Sequence, residues 1–153
     1  MLSEHHSLWF HGTNKHYLDD QLRRHGEYVG MVKKGQFGEE RVGINLAENH
    51  AGMALVSALR SARVYGYSPI ILVSSGEVLR GRLQMGNTGM KIYSGWPQDL
   101  FSTLDVQVVD MNDPFGYDGE RFKDDLRKLL DRQRLFTAPD TFDWDNVVEY
   151  FEW

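Results

Sequence analysis

The residues best placed to do chemistry in this 153-residue chain are His11-Gly12-Thr13, which close the apolar run Leu8-Trp9-Phe10. A strand that ends in His-Gly sets an imidazole at the rim of a sheet, beside a backbone that a planar amide can approach because glycine has no Cβ. Catalytic groups are often carried at such strand ends. Other chemistries find less support. Ser74 and Ser75 lack the glycine elbow of a hydrolase nucleophile, and no Walker loop or dinucleotide fingerprint occurs. The chain has no cysteine, which excludes thiolate chemistry and cysteine-based zinc sites. His5, His6, His16, His25 and His50 have no metal-ligand spacing apart from the adjacent His5-His6, so no metal is expected.

Around the tripeptide the chain must build a scaffold. Leu8 to Phe10 reads as a buried strand, and Tyr17 to Arg24 as a short helix with Tyr17, Leu18 and Leu22 on one face, ended by His25-Gly26. Glu27 to Arg41 shows glycines and charges without a sustained period, which predicts a mobile loop of a length that is often functional. Val42 to Leu46 is the expected second strand. Asn49 is the expected N-cap of a helix in which Ala51, Leu55, Ala58, Ala62 and Tyr65 form a narrow small-residue face, with Arg60 and Arg63 off it. Ser68-Pro69 ends that helix, and Ile70-Ile71-Leu72-Val73 reads as a central strand buried on both faces. Glu77 to Leu83 can return as another strand, and Gly86 to Pro97 is expected to be irregular. Thr103 to Met111 reads as a clear strand, with Leu104, Val106 and Val108 alternating against Asp105 and Gln107.

The remainder, 118–153, reads as a C-terminal helical extension. Asp118-Gly119 opens an amphipathic helix, Glu120 to Phe136, striped by Phe122, Leu126, Leu129 and Leu130. Pro139 to Trp153 then sets Phe142, Trp144, Tyr150, Phe151 and Trp153 among carboxylates. It reads as a last packed helix, the alternative being a partner-binding segment. The length fits one domain over 1–153, with 1–7 as an N-terminal extension. No window approaches the ~18 apolar residues of a membrane span, and Met1 to Ser7 lacks the apolar core of a signal peptide, so a cytoplasmic protein with no membrane partner is expected. A net charge of -5 argues against broad electrostatic binding of nucleic acid and leaves only a local basic groove for it.

His11-Gly12-Thr13, then Gly43-Ile44-Asn45-Leu46-Ala47, then the segment Glu48 to Tyr65 resemble in order the ADP-ribosyltransferase fold, in the branch of poly(ADP-ribose) polymerases, diphtheria-type toxins and rifamycin ADP-ribosyltransferases. The resemblance covers roughly residues 8 to 75, and more weakly the strand near 105. It implies an α+β domain with a split, mostly antiparallel sheet around an NAD cleft and a C-terminal helix added. It also implies a mono-ADP-ribosyltransferase that takes NAD as substrate and releases nicotinamide. His11 would hydrogen-bond the nicotinamide ribose, and the backbone of Gly12 would hold the carboxamide. Thr13 would bond the adenosine ribose or simply cap the turn. Asn45 stands where the family usually has a tyrosine that stacks on nicotinamide, so Tyr65, Tyr67 and Phe37 are the aromatics available instead.

Cleavage of the nicotinamide–ribose bond passes through an oxocarbenium-like state that needs nearby negative charge. The family supplies an acid on a later strand. Asp105 is favoured for that role over Glu77, which follows the central strand, and the plain alternative for either is a solvated acid. Arg41, with Arg23, Lys33, Lys34, Arg60 and Arg63, could serve the pyrophosphate, or be ordinary surface charges. The resemblance further implies a macromolecular acceptor. Nucleic acid is preferred on the lysines and arginines of Glu27 to Arg41 and on Arg60, Arg63, Arg80 and Arg82. A protein or an antibiotic is the other choice of acceptor. A toxin or phage-defence role would make Asp140 to Trp153 the place for a neutralising protein partner. The rivals are an RNA 2'-phosphotransferase-like relative and an inactive nucleotide- or protein-binding module.

Overall fold

Strand β1 spans Leu8–Asn14, four residues beyond the apolar run that announces it, so His11, Gly12 and Thr13 lie within the strand and not at its end. The structure is a computed structural model and describes residues 7–34, 40–66, 68–86, 89–133, 149 and 151–153. β1 sits inside a four-stranded antiparallel sheet of order β10-β6-β1-β5, formed with β5 (Ala47–Glu48), β6 (Pro69–Ser75) and β10 (Ser102–Asp105). A second antiparallel sheet has the order β3-β4-β8-β7, from β3 (Met31–Lys34), β4 (Glu40–Asn45), β7 (Leu83–Gly86) and β8 (Gly89–Ile92). The short strands β2 (Glu27–Tyr28) and β9 (Trp96–Pro97) pair with each other. The α+β class and its antiparallel sheets thus agree with expectation.

Alternation along β1 and β6 divides the core in two. Leu8, Phe10, Ile71 and Val73 face the helices α2 (Ala51–Tyr65) and α3 (Gly119–Gln133), meeting Ala54, Leu55, Ala58, Phe122, Leu126 and Leu130. Trp9, Ile70 and Leu72 face the other way, toward Leu18 of α1 (Lys15–His25), Tyr28, and Ile44 and Ile92 of the second sheet. Every residue of β6 is therefore buried. Each fully buried aliphatic contributes about 1.5–3 kcal/mol, and packing on both faces fixes where His11 stands.

Asn14 starts α1 by accepting the Tyr17 N–H at 2.8 Å, and Gly26 ends it at φ 71°. The cap of α2 is His50, whose Nδ1 accepts the Met53 N–H at 3.3 Å. Asn49, the expected cap, has another task. At φ 51° its side-chain oxygen accepts the Leu8 N–H at 2.9 Å while its own N–H donates to the Leu8 carbonyl at 2.8 Å, so it completes the ladder beside β1.

Four segments differ from expectation. Glu27 to Arg41, read as a loop, contributes β2, β3 and the start of β4: β3 and β4 pair with each other, whereas β2 pairs with the remote β9, and the short, charged strands leave no sustained period. The second strand accordingly begins at Glu40 and stops at Asn45. Glu77 to Arg82 forms successive turns, closed by Arg80 N–H to Glu77 O and Arg82 N–H to Leu79 O, and the strand starts only at Leu83. Gly86 to Pro97 contains β8 and β9, with Gly89 and Gly95 at positive φ where the chain turns. The strand expected over Thr103 to Met111 ends at Asp105: one more hydrogen bond, Val106 N–H to the Pro69 carbonyl at 3.1 Å, reaches the first residue of β6, and proline has no N–H to return. Val106 is buried beyond it, whereas Val108 and Val109 are exposed.

At the C-terminal end, Phe151 is buried in the helix-side core, edge-on to Phe10 at 5.8 Å between ring centroids. Trp153 meets Phe122 at 6.1 Å, with Lys123 Nζ 5.0 Å from its ring. Phe142, Trp144 and Tyr150 lie outside the described residues, as does most of the segment from Asp140. No helix among the described residues is long and apolar enough to cross a membrane.

Candidate functional site

β5 pairs with β1 only at Trp9 and Phe10, so beyond Phe10 that edge of β1 is open. Leu8 directs its N–H and carbonyl to this side, toward Asn49. Backbone groups alternate with a period of two along an antiparallel strand, so those of Gly12 point the same way, where β5 no longer runs. A cavity of about 220 Å³ fills the opening, lined by His11, Gly12, Thr13, Tyr17, Tyr28, Gly43, Asn45, Ser61 and Tyr65. Five elements frame it: β1, the start of α1, β2, the end of β4, and the last turns of α2.

The glycine at position 12 has a second physical reason. A Cβ there would stand 2.7 Å from the Ala58 nitrogen and would overlap the Ala54 carbonyl. Gly12, Ala54 and Ala58 thus let α2 lie directly on β1, and the missing Cβ faces the helix while the backbone polar groups face the cavity.

His11 is held at both nitrogens. Nδ1 lies 2.7 Å from the carbonyl of Asn45, and Nε2 lies 2.9 Å from the Tyr28 hydroxyl. A carbonyl only accepts, so Nδ1 carries the proton and Nε2 accepts from Tyr28. The nearby Thr13 hydroxyl partly opposes the upward shift of Tyr28. Burial pushes the pKa of His11 down to about 4, against the opposing pull of the Asn45 carbonyl, so the imidazole is neutral at pH 7. Burial likewise raises Tyr28 and Tyr17 above the usual tyrosine range. Tyr17 donates to the Gly30 carbonyl at 2.6 Å and stands edge-on to Tyr28 at 5.9 Å. The lining is neutral and rich in aromatic faces, and no Asp, Glu, Lys or Arg among the described residues belongs to it.

His11, Gly12, Thr13, Asn45 and Tyr65 therefore converge, Tyr65 being 64% exposed at the rim. The two acids do not join them. Asp105 shares a sheet face with Thr13 through the register Thr13, Ile70, Asp105. It opens instead into a separate cavity of about 490 Å³ with Lys15, Asp19, Leu22 and Thr103. Glu77 is exposed and follows Ser75, which pairs with Leu8, roughly 13 Å along the sheet from the level of Gly12. Arg41 pairs with Lys33 through the β3–β4 ladder, and its side chain lies outside what is described, as do those of Lys33 and Lys34. Phe37 and Tyr67 also lie outside the described residues. Arg23 is paired with Asp20 at 2.6 Å, Arg63 donates to the Asn112 carbonyl at 3.4 Å, and Arg60 is exposed on α2. Among the described residues no group of three or more His, Cys, Asp or Glu is placed to hold a metal ion.

Tyr17, Tyr28, Gly43 and Ser61 were not anticipated as site residues. Ser61 accepts from the Asn14 side chain at 2.8 Å and ties α2 to the end of β1. Tyr28 is placed by the two-residue strand β2 and its pairing with the remote β9, which no local period marks. No protein family, curated protein or solved structure matches this chain.

Proposed function

We propose that the chain is a mono-ADP-ribosyltransferase whose cavity takes the nicotinamide end of NAD. The observation that carries this reading is the open edge of β1 beside a neutral His11, with the backbone of Gly12 turned into the cavity. An N–H and a carbonyl on one residue match the two ends of a carboxamide. Faces of Tyr17, Tyr28 and Tyr65 suit a cationic pyridinium ring, which aromatic quadrupoles attract. In the reaction the ribose C1'–nitrogen bond breaks, nicotinamide leaves neutral with the electron pair, and an acceptor nucleophile closes on the oxocarbenium carbon with loss of its proton. Asp105, ahead of Glu77, is the proposed source of the opposing negative charge, and either would have to supply it from outside the cavity lined by His11.

The proposed acceptor is nucleic acid, supported by Arg60 and Arg63 on α2, the helix that ends at the cavity rim. A toxin or defence role in the cytoplasm, with a neutralising protein at the acidic tail, is part of the same proposal. One observation favours a second reading. Neither candidate acid lines the cavity, which is what a nucleotide-binding module without turnover would show. Nicotinamide release by the purified protein, compared with His11→Ala, tests both. Release that disappears in the variant supports the transferase, whereas NAD binding with no release on RNA, DNA or protein leaves the binding module. Transfer of labelled NAD into protein alone would remove the nucleic-acid acceptor.

A further inference from the structure

Beside the cavity lies a stretch of the second sheet that the proposed reaction leaves unused. Lys91 on β8 is directly opposite both Asn45 on β4 and Gln84 on β7, so all three side chains leave the sheet on one face. Ile44 and Ile92 leave on the other, into the core. Lys91 and Tyr93 lean over two glycines. A Cβ at Gly43, itself part of the cavity wall, would stand 3.5 Å from Lys91 Cδ and 3.6 Å from Tyr93 Cε1. A Cβ at Gly86 would stand 2.7 Å from both Lys91 Cδ and Tyr93 Oη. The pair therefore rests in a bed without side chains beneath it, and one end of that bed is the wall of the His11 cavity.

Two further facts bear on this face. Tyr93 is 40% exposed, and the side chain of Lys91 makes no ion pair or hydrogen bond among the described residues. An ammonium so placed beside a cavity, in a chain of net charge -5, is a local site of attraction for an anion. The cavity of about 220 Å³ is below the usual range for a whole drug-sized ligand, so it admits a ring and leaves the rest of a dinucleotide outside. Gly43 lines the cavity and also carries Lys91 and Tyr93 above it.

The geometry points to Lys91 and Tyr93 as the outer half of the site, with Lys91 holding a phosphate of NAD and Tyr93 offering its ring to the adenosine beyond. This rests on the proposed NAD cavity and adds the residues that would select a dinucleotide over free nicotinamide. A charge-assisted contact of this kind is worth roughly tenfold in affinity.

The test measures binding of NAD and, separately, of nicotinamide to the full chain and to Lys91→Met, Lys91→Arg and Tyr93→Ala. Melting temperatures are recorded alongside to show that each variant is folded. The wild type should bind NAD more tightly than nicotinamide. Lys91→Met should weaken NAD binding roughly tenfold, with added salt eroding the difference, while nicotinamide binding stays unchanged. Lys91→Arg should hold NAD within about threefold of wild type, and Tyr93→Ala should lose several-fold. Equal NAD affinity in wild type and Lys91→Met would overturn the inference, as would a parallel fall in nicotinamide binding or a wild type that binds both ligands equally. A wild type that binds neither ligand would instead remove the NAD cavity itself, and this outer half with it.

Discussion

Nε2 of His11 lies 2.9 Å from the hydroxyl of Tyr28, and the two rings stand 5.3 Å apart. With the Asn45 carbonyl on the opposite nitrogen, this contact leaves the imidazole one tautomer and one orientation. A ligand hydroxyl that bonds to Nε2 must displace Tyr28 or share with it. Tyr28 is thus a positioning residue in the proposed site, acting through His11.

Tyr28→Phe removes the donor and leaves a buried acceptor unsatisfied. The expected cost is about 1–3 kcal/mol in the denaturant midpoint. The imidazole nitrogens report the positioning role separately: the Asn45 carbonyl keeps the proton on Nδ1 in both proteins, so the NMR shifts should show the Nδ1–H tautomer in each, with the Nε2 resonance moved in the variant by loss of its donor. An unmoved Nε2 resonance would mean that Tyr28 does not bond to the ring in solution.

The His11 pKa of about 4 predicts how stability responds to acid. Between about pH 4 and 6.5 the unfolded chain binds this proton and the folded chain does not, so stability rises with pH across that window. The contribution is fully present above pH 6.5 and is lost as pH falls to about 4, by up to about 3 kcal/mol. Unfolding free energies at pH 7 and pH 4.5 should therefore differ less in His11→Asn than in wild type. An equal difference in the two proteins would mean that His11 titrates normally.

Gly12→Ala drives a methyl into the backbone of α2 at Ala54 and Ala58. Overpacking of this kind costs about 1–3 kcal/mol, and more if the helix cannot shift. The variant should lose several degrees in thermal midpoint with no ligand present. An unchanged midpoint would mean that the helix yields easily and that the glycine is there for the cavity alone.

Much of this site follows from signals that are local in sequence. The apolar run at Leu8, the alanine face of α2 and the two-residue alternation of β4 bring His11, Asn45 and Tyr65 into one opening, because each is fixed within a few residues of its own element. Tyr28 depends on a two-residue strand paired to Trp96 far along the chain, and such a pairing has no period to betray it. The acids fail to converge for a similar reason. Alternation puts Asp105 on the same sheet face as Thr13, yet only the packed position of α1 decides that it opens into a different cavity. The role of Gly12 was visible as an absent Cβ, but the side that absence serves depends on α2.

Phe151→Ala tests whether the end of the chain belongs to the fold. Its ring is buried against Phe10, and Glu152 donates its N–H to the Asn49 carbonyl at 2.7 Å, next to the residue that caps α2. Removing a buried phenylalanine costs about 3–5 kcal/mol. A loss of that size is expected in chemical denaturation. A change below about 1 kcal/mol would show that the segment undocks readily and is free to meet a partner.

Tyr65 and Asn45 divide the stacking question between them. Tyr65 is 64% exposed at the cavity rim, so Tyr65→Ala should leave stability within about 0.5 kcal/mol of wild type. If its ring covers the bound nicotinamide, affinity should fall by about 0.5–1.5 kcal/mol, which is several-fold, in the same protein. Asn45 has an exposed side chain on the opposite wall while its backbone carbonyl anchors His11, so Asn45→Tyr keeps that anchor and adds a ring. The substitution should raise NAD affinity and restore part of what Tyr65→Ala removes when the two are combined. Titrations of the two single variants and the double variant decide the matter: equal affinities throughout would mean that neither wall stacks on the ligand, and Tyr17 and Tyr28 would remain as the faces that hold it.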